Sequence, residues 1–210
     1  MVADWAHLSW PPAAGRASGL VIGPVSGPPA GWDRLSRVEI RRAQSQDLAG
    51  IAAIYDREVT HGIATFMTVP YSGDEWRDWL AAHSGPRHPA LVAVEGGSVL
   101  GWASLSPWSA RQAYDRSAES SVYVAPGAQG RGVGRALIGE LVAGARAEGI
   151  GVIVARVVEQ NAASVRFHER VGFATVGIMR RIGEKFGRLL DVRVMDRHLD
   201  MSPADAGKSA

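Results

Sequence analysis

The chain has 210 residues, 46% of them hydrophobic and 21% charged, which fits one globular domain with a substantial core. It holds no cysteine, so disulfides, thiolate metal sites and cysteine nucleophiles are excluded. Net charge is only +2, the cations are almost all arginine, and no segment has the density of a basic arm, so no nucleic-acid partner is expected.

Residues 1 to about 36 interleave Pro11, Pro12, Pro24, Pro28 and Pro29 with Gly15, Gly19, Gly23, Gly27 and Gly31. No strand or helix period survives there, and a disordered or loosely draped extension is expected. Residues 37–200 read as the folded domain and 201–210 as a flexible tail. Val38 to Arg41 alternates as a strand, and Leu48, Ile51, Ala52, Ile54 and Tyr55 recur at helical spacing. Ser72-Gly73-Asp74-Glu75 has the spacing of a capping box and opens a second helix bearing Trp76, Trp79 and Leu80. Leu91–Val94 and Val99–Leu105 read as strands joined through Gly96-Gly97, a hairpin signal.

Ser120–Val124 is a further strand, followed by a glycine-rich loop and a helix from about Val133 to Ala147. Leu137, Ile138, Leu141, Val142 and Ala145 form its apolar stripe, and Gly149 is placed to end it. Val152–Val158 reads as a buried strand, and Asn161–Val171 as a short helix stopped by Gly172. Phe173–Arg181 and Leu189–Leu199 read as the final strands. Hairpins combined with two strand–helix units predict an α/β (α+β) fold: a mixed, strongly twisted sheet with helices on both faces. No apolar run is long enough to span a bilayer and the N-terminus lacks a secretory pattern, so a cytoplasmic protein without a membrane partner is expected.

The sharpest local feature is Gln129-Gly130-Arg131-Gly132-Val133-Gly134-Arg135, between a strand and a helix. In that context successive backbone N–H groups point at an anion, the helix dipole assists, and Arg131 and Arg135 add charge-assisted bonds. A Walker loop is excluded because no lysine follows the glycines, and a Rossmann fingerprint is disfavoured because the loop sits mid-chain after a hairpin. A plain turn is the rival explanation. His61, His83, His88 and His198 are too scattered for a metal site, and no Gly-x-Ser-x-Gly elbow is present.

Gln129-x-x-Gly132-x-Gly134 resembles the pyrophosphate-binding motif of the GNAT acetyltransferase superfamily, and Asn161, Ala162, Ser164, His168, Gly172 and Phe173 resemble its following Asn…Gly-Phe segment. Pro107 to Tyr114, Ala118 to Val124, and Phe186-Gly187-Arg188 with Leu190-Asp191 resemble the phosphinothricin acetyltransferase family, which includes methionine sulfoximine and sulfone acetyltransferases. The resemblance covers roughly Val38 to Leu199. One departure matters: Ser109 stands where phosphinothricin-specific enzymes carry a lysine, which favours the sulfoximine and sulfone relatives.

The resemblance implies a splayed sheet, acetyl-CoA as co-substrate, a small amine as acceptor and a homodimer; with the histidines scattered, no metal is expected. It implies Glu119 as general base, with an exposed strand-edge acid as the rival reading. His168 is implied either as the acid that protonates the departing thiolate or as a residue that only positions other groups. Val122, Tyr123 and Val124 are expected to hold the acetyl carbonyl through backbone N–H groups. The coenzyme is expected to meet Gln129, Gly130, Arg131, Gly132, Val133, Gly134, Arg135, Asn161 and Ser164. Arg111 is the expected partner of a substrate carboxylate, since a guanidinium binds that group through two parallel bonds; a solvated loop arginine is the rival. Tyr114, Phe66 and Trp108 are expected to wall the side-chain pocket. Acetylation of a protein N-terminus or an aminoglycoside, and a non-catalytic acyl-CoA-binding module, are the alternative functions.

Overall fold

The structure, a computed structural model, describes residues 37–199. The expected extension at 1–36 and tail at 201–210 lie outside the described residues. The elements in chain order are β1 (Glu39–Arg42), α1 (Leu48–Thr60), α2 (Gly73–Ala82), β2 (Ala90–Glu95), β3 (Ser98–Pro107), β4 (Ser117–Val124), α3 (Val133–Ala147), β5 (Val152–Val158), α4 (Ala162–Arg170), β6 (Ala174–Lys185) and β7 (Arg188–His198). The seven strands form one sheet in the order β1-β2-β3-β4-β5-β7-β6. Every pairing is antiparallel except that of β4 with β5.

The local signals are realised as hydrogen bonds. Ser72 Oγ accepts from the Glu75 amide at 3.3 Å while Glu75 Oε2 accepts from the Ser72 amide at 2.7 Å, completing the capping box of α2. Gly96 and Gly97 both adopt positive φ in the β2–β3 turn, the backbone that a two-residue hairpin needs. The helix over Val133–Ala147 begins and ends where its periodicity places it, and its whole apolar stripe is buried.

Helices cover both faces. Along β4, Ala118 and Ser120 point to the α3 side, and Ala118 joins Leu137, Ile138, Leu141, Ile153, Ala155 and Met195 in the larger core. Glu119, Ser121 and Tyr123 alternate onto the opposite face, where α1 and α2 pack. That second core is aromatic: Tyr55 and Trp76 meet edge to face, and Trp102 and Tyr123 lie 4.8 Å apart.

The last hairpin is longer than the sequence suggests. β6 runs to Lys185 rather than Arg181, because the turn falls at Phe186-Gly187, both at positive φ. Arg181 also has positive φ and marks a register shift between Met179 and Gly183, so the irregularity there is a bulge inside a continuing strand.

Candidate active site

The sheet opens at one place. β4 and β5 pair only at Ser117↔Val152, Ala118↔Ile153 and Glu119↔Val154. Beyond that rung β4 stays with β3 as far as Val124↔Gly101, and β5 stays with β7 as far as Val158↔Val192. Because the Ala125 amide donates to the Leu100 carbonyl on β3, alternation directs the amides of Val122 and Val124 into the gap and that of Tyr123 toward β3. Two of the three amides expected to hold an acyl carbonyl therefore face the opening.

The glycine loop closes the same end of β4. Gln129 Nε2 donates back to the Val124 carbonyl at 3.3 Å. Gly130 and Gly132 sit at φ 73° and 93°, and Gly132 occupies the N-cap of α3 without any side-chain cap. The first helical bond runs from the Ala136 amide to the Gly132 carbonyl, which leaves the amides of Val133, Gly134 and Arg135 open. Gly134 has a different reason to be glycine: a Cβ there would lie 3.2 Å from the Phe167 ring of α4. Close docking of α4 on the first turn of α3 requires it. Of the two loop arginines, Arg131 is held by both oxygens of Glu95 at 2.8 and 2.9 Å, whereas Arg135 is exposed and forms no ion pair among the described residues.

Glu119 stands at the last rung before the gap. It is not a bare strand-edge acid: Arg156 Nε meets its Oε1 at 2.6 Å and Arg156 Nη2 its Oε2 at 2.9 Å. Arg156 lies two residues beyond Glu119's partner Val154, on the same face, so its side chain reaches diagonally back across the mouth of the fork. Glu119 is 21% exposed and Arg156 36%. Tyr123, two residues further along β4, turns its hydroxyl away to the Ala64 carbonyl at 3.2 Å, and burial raises its pKa. Arg156 escaped the sequence reading because a charged residue in the apolar run Val152–Val158 carries no motif; only strand register brings it to Glu119.

His168 is buried on α4 between the rings of Phe167 and Phe173. Its Nδ1 lies 2.8 Å from the Ser164 carbonyl, which assigns the proton of the neutral ring to Nδ1 and leaves Nε2 an acceptor. Burial lowers its pKa. Asn161 and Ser164 belong to the same turn: Asn161 Oδ1 caps α4 by accepting from the Ser164 amide at 3.1 Å.

The expected substrate residues divide between two places. Trp108, Arg111 and Tyr114 lie in the β3–β4 connection, next to the hairpin end that carries Glu119; Arg111 and Tyr114 are exposed and Trp108 is half-buried. Phe66 lies in the α1–α2 connection, its ring against Gly183 of β6. Lys185 secures that connection by donating to the carbonyls of Glu58 at 2.7 Å and Thr65 at 2.8 Å.

A sheet forked beside a carboxylate, with open helix-start amides at the far end of the fork, defines a class of acyl-group transferases. The profile of the Acetyltransferase (GNAT) family matches residues 49–173, and the chain belongs to that family. It is similar to a phosphinothricin N-acetyltransferase of Streptomyces coelicolor, 39% identical over 167 residues that span 78% of this chain and 98% of the relative. It is also 39% identical to an L-methionine sulfoximine/L-methionine sulfone acetyltransferase of Salmonella typhimurium, over 77% of this chain and 94% of that one. A Salmonella typhimurium acetyltransferase solved with its cofactor acetyl-CoA superposes with a TM-score of 0.75 at 38% identity, covering 80% of this chain and 97% of that chain.

Two outcomes are expected. Gly132→Ala forces a Cβ into the left-handed region, at a cost of about 1 kcal/mol, and weakens coenzyme A binding several-fold by calorimetry; absence of heat with the unaltered protein would contradict an anion site in this loop. Burial holds His83, His88 and His168 below the usual imidazole value of about 6.5, His88 at about 4. The unfolded chain therefore binds more protons between those values, so stability is full above pH 6.5 and declines as pH falls toward 4. Thermal unfolding followed from pH 8 to 4 checks this, and an unchanged Tm between pH 7 and 5 contradicts it.

Proposed function

We propose that this enzyme transfers the acetyl group of acetyl-CoA directly to the α-amine of a small amino-acid analogue of the phosphinothricin, methionine sulfoximine or methionine sulfone type. The observation that carries this is the placement of Glu119 on the last paired rung of the fork, on the face away from α3. The open amides of Val133, Gly134 and Arg135 fit the pyrophosphate of the coenzyme, and those of Val122 and Val124 fit the thioester carbonyl, whose oxygen gains charge during attack.

An ammonium cannot attack; it must first lose a proton. Glu119 is the base in this scheme, directly or through a water, and part of its hold on Arg156 passes to the amine as substrate binds. The neutral amine then forms the C–N bond as the C–S bond breaks, and the further proton that the nitrogen sheds goes to the departing thiolate, directly or through a water. His168 serves as a positioning residue here: a buried imidazole whose one proton is committed to the Ser164 carbonyl has none to give a thiolate at neutral pH. A guanidinium beside the base opposes a polycationic aminoglycoside, which leaves an anionic or zwitterionic acceptor as the better fit. Action in the cytoplasm is part of the proposal and accords with a chain in which no described helix is long and apolar enough to cross a membrane.

The same reading includes a homodimer. β6 is an edge strand with Val176, Met179 and Ile182 exposed, and Phe186 and Leu189 continue the apolar surface at the adjoining turn. An apolar edge left uncovered by the described residues invites association, and a second copy is the proposed cover. Light scattering on the purified protein should return twice the chain mass of 22.3 kDa; a monomer at micromolar concentration overturns this part. For catalysis, thiol release with methionine sulfone, methionine sulfoximine, phosphinothricin and kanamycin should show turnover on the first three. Glu119→Gln should lower kcat by about 10²- to 10⁴-fold, the usual worth of a general base, with acetyl-CoA affinity nearly unchanged. Full activity in that variant removes Glu119 from the mechanism.

A further inference from the structure

We propose that Arg156 is the carboxylate anchor of the acceptor site, and that the Glu119–Arg156 pair recognises the zwitterion of an α-amino acid by exchanging ion-pair partners with it. This rests on the acceptor class proposed above and assigns the anchor to β5 rather than to the β3–β4 connection that holds Arg111.

An α-amino acid carries its ammonium and carboxylate on one carbon. The protein presents the complementary charges side by side: a carboxylate on β4 and a guanidinium fork on β5, two hydrogen bonds apart at 2.6 and 2.9 Å. Both side chains reach solvent. An incoming zwitterion slots into this pair with its ammonium on Glu119 and its carboxylate on the Arg156 fork. One ion pair becomes two, and no charge is left without a partner.

An amine without a carboxylate breaks this balance. Its ammonium draws Glu119 away and leaves the Arg156 fork short of an acceptor in a partly desolvated site, so selection against plain amines is built into the pair. Several neighbouring arginines are already committed. Glu159 holds Arg193, Asp191 holds Arg180, and Arg197 donates to the Val171 carbonyl. Arg111 is free of ion pairs among the described residues but lies exposed in a loop, and it is Arg156 whose guanidinium holds Glu119. Among the described residues Arg156 is the cation hydrogen-bonded to the proposed base, so a carboxylate bound there lies one carbon from an amine at Glu119.

The test compares methionine sulfone with its decarboxylated amine, 3-(methylsulfonyl)propylamine, in steady-state kinetics of the full-length enzyme and of Arg156→Ala, Arg156→Lys and Arg111→Ala. The ratio of kcat/KM for the amino acid over the plain amine should fall by about 10- to 100-fold in Arg156→Ala, the worth of a charge-assisted pair. Most of the loss should appear in KM, Arg156→Lys should recover part of it, and Arg111→Ala should change the ratio less than Arg156→Ala does. An equal loss on both substrates in Arg156→Ala, with the ratio unchanged, would mean that the arginine only positions Glu119 and would overturn the assignment. A larger change of ratio in Arg111→Ala overturns it too. Absence of turnover by the unaltered enzyme on both the amino acid and the plain amine defeats the functional reading and this inference together; turnover with either adverse pattern defeats this inference alone.

Discussion

At the Glu119↔Val154 rung the parallel ladder between β4 and β5 ends, and each strand continues with its outer neighbour. Both strands are fully hydrogen-bonded on that outer side, so the twist that separates them leaves polar backbone unpaired only along the gap. Such groups are costly to leave dry. Here they face an opening in which the amides of Val122 and Val124 at one wall and the uncapped start of α3 at its end share a need for acceptors. In the proposed function, a coenzyme that carries both a diphosphate and a thioester carbonyl supplies those acceptors.

The fork also organises charge. Glu119 and Arg156 belong to strands that no longer pair where the two side chains meet, so their salt bridge takes over from the ladder at its last rung. Half-exposed ion pairs add little to stability, so its worth lies in orientation. Both carboxylate oxygens are held by the guanidinium fork, and in the proposed exchange an entering zwitterion offers each partner a replacement.

Beside this, a buried polar knot fixes one flank of the site. Lys185 is 2% exposed, and burial lowers its pKa, yet its ammonium is satisfied by two backbone carbonyls, one at the end of α1 and one in the connection that follows. Tyr55 and Thr65 share a hydrogen bond of 2.8 Å in the same region, and Tyr123 reaches the neighbouring Ala64 carbonyl. These bonds tie the α1–α2 connection to the β6–β7 hairpin and set Phe66 on the glycine backbone at Gly183. The aromatic core on that face is therefore continuous with a polar seam that ends near the fork.

By itself the amino-acid sequence determined what depends on neighbours along the chain: the Ser72 capping box, the Gly96-Gly97 turn, the α3 stripe with its glycine loop, and the motifs that point to the family. Each is a local relation, since helix period, strand alternation and positive-φ turns are written within a few residues. The extension of β6 to Lys185 is not legible locally, because a bulge at Arg181 and a non-glycine turn residue, Phe186, resemble a strand end. Only the tertiary structure decided where the β4–β5 ladder stops, that Gly134 is small because Phe167 packs on it, that Arg131 is engaged by Glu95, and that Arg156 faces Glu119 across 37 positions of chain. Such pairings follow from strand order and register, which bring distant residues onto one face and leave no periodic trace in the sequence.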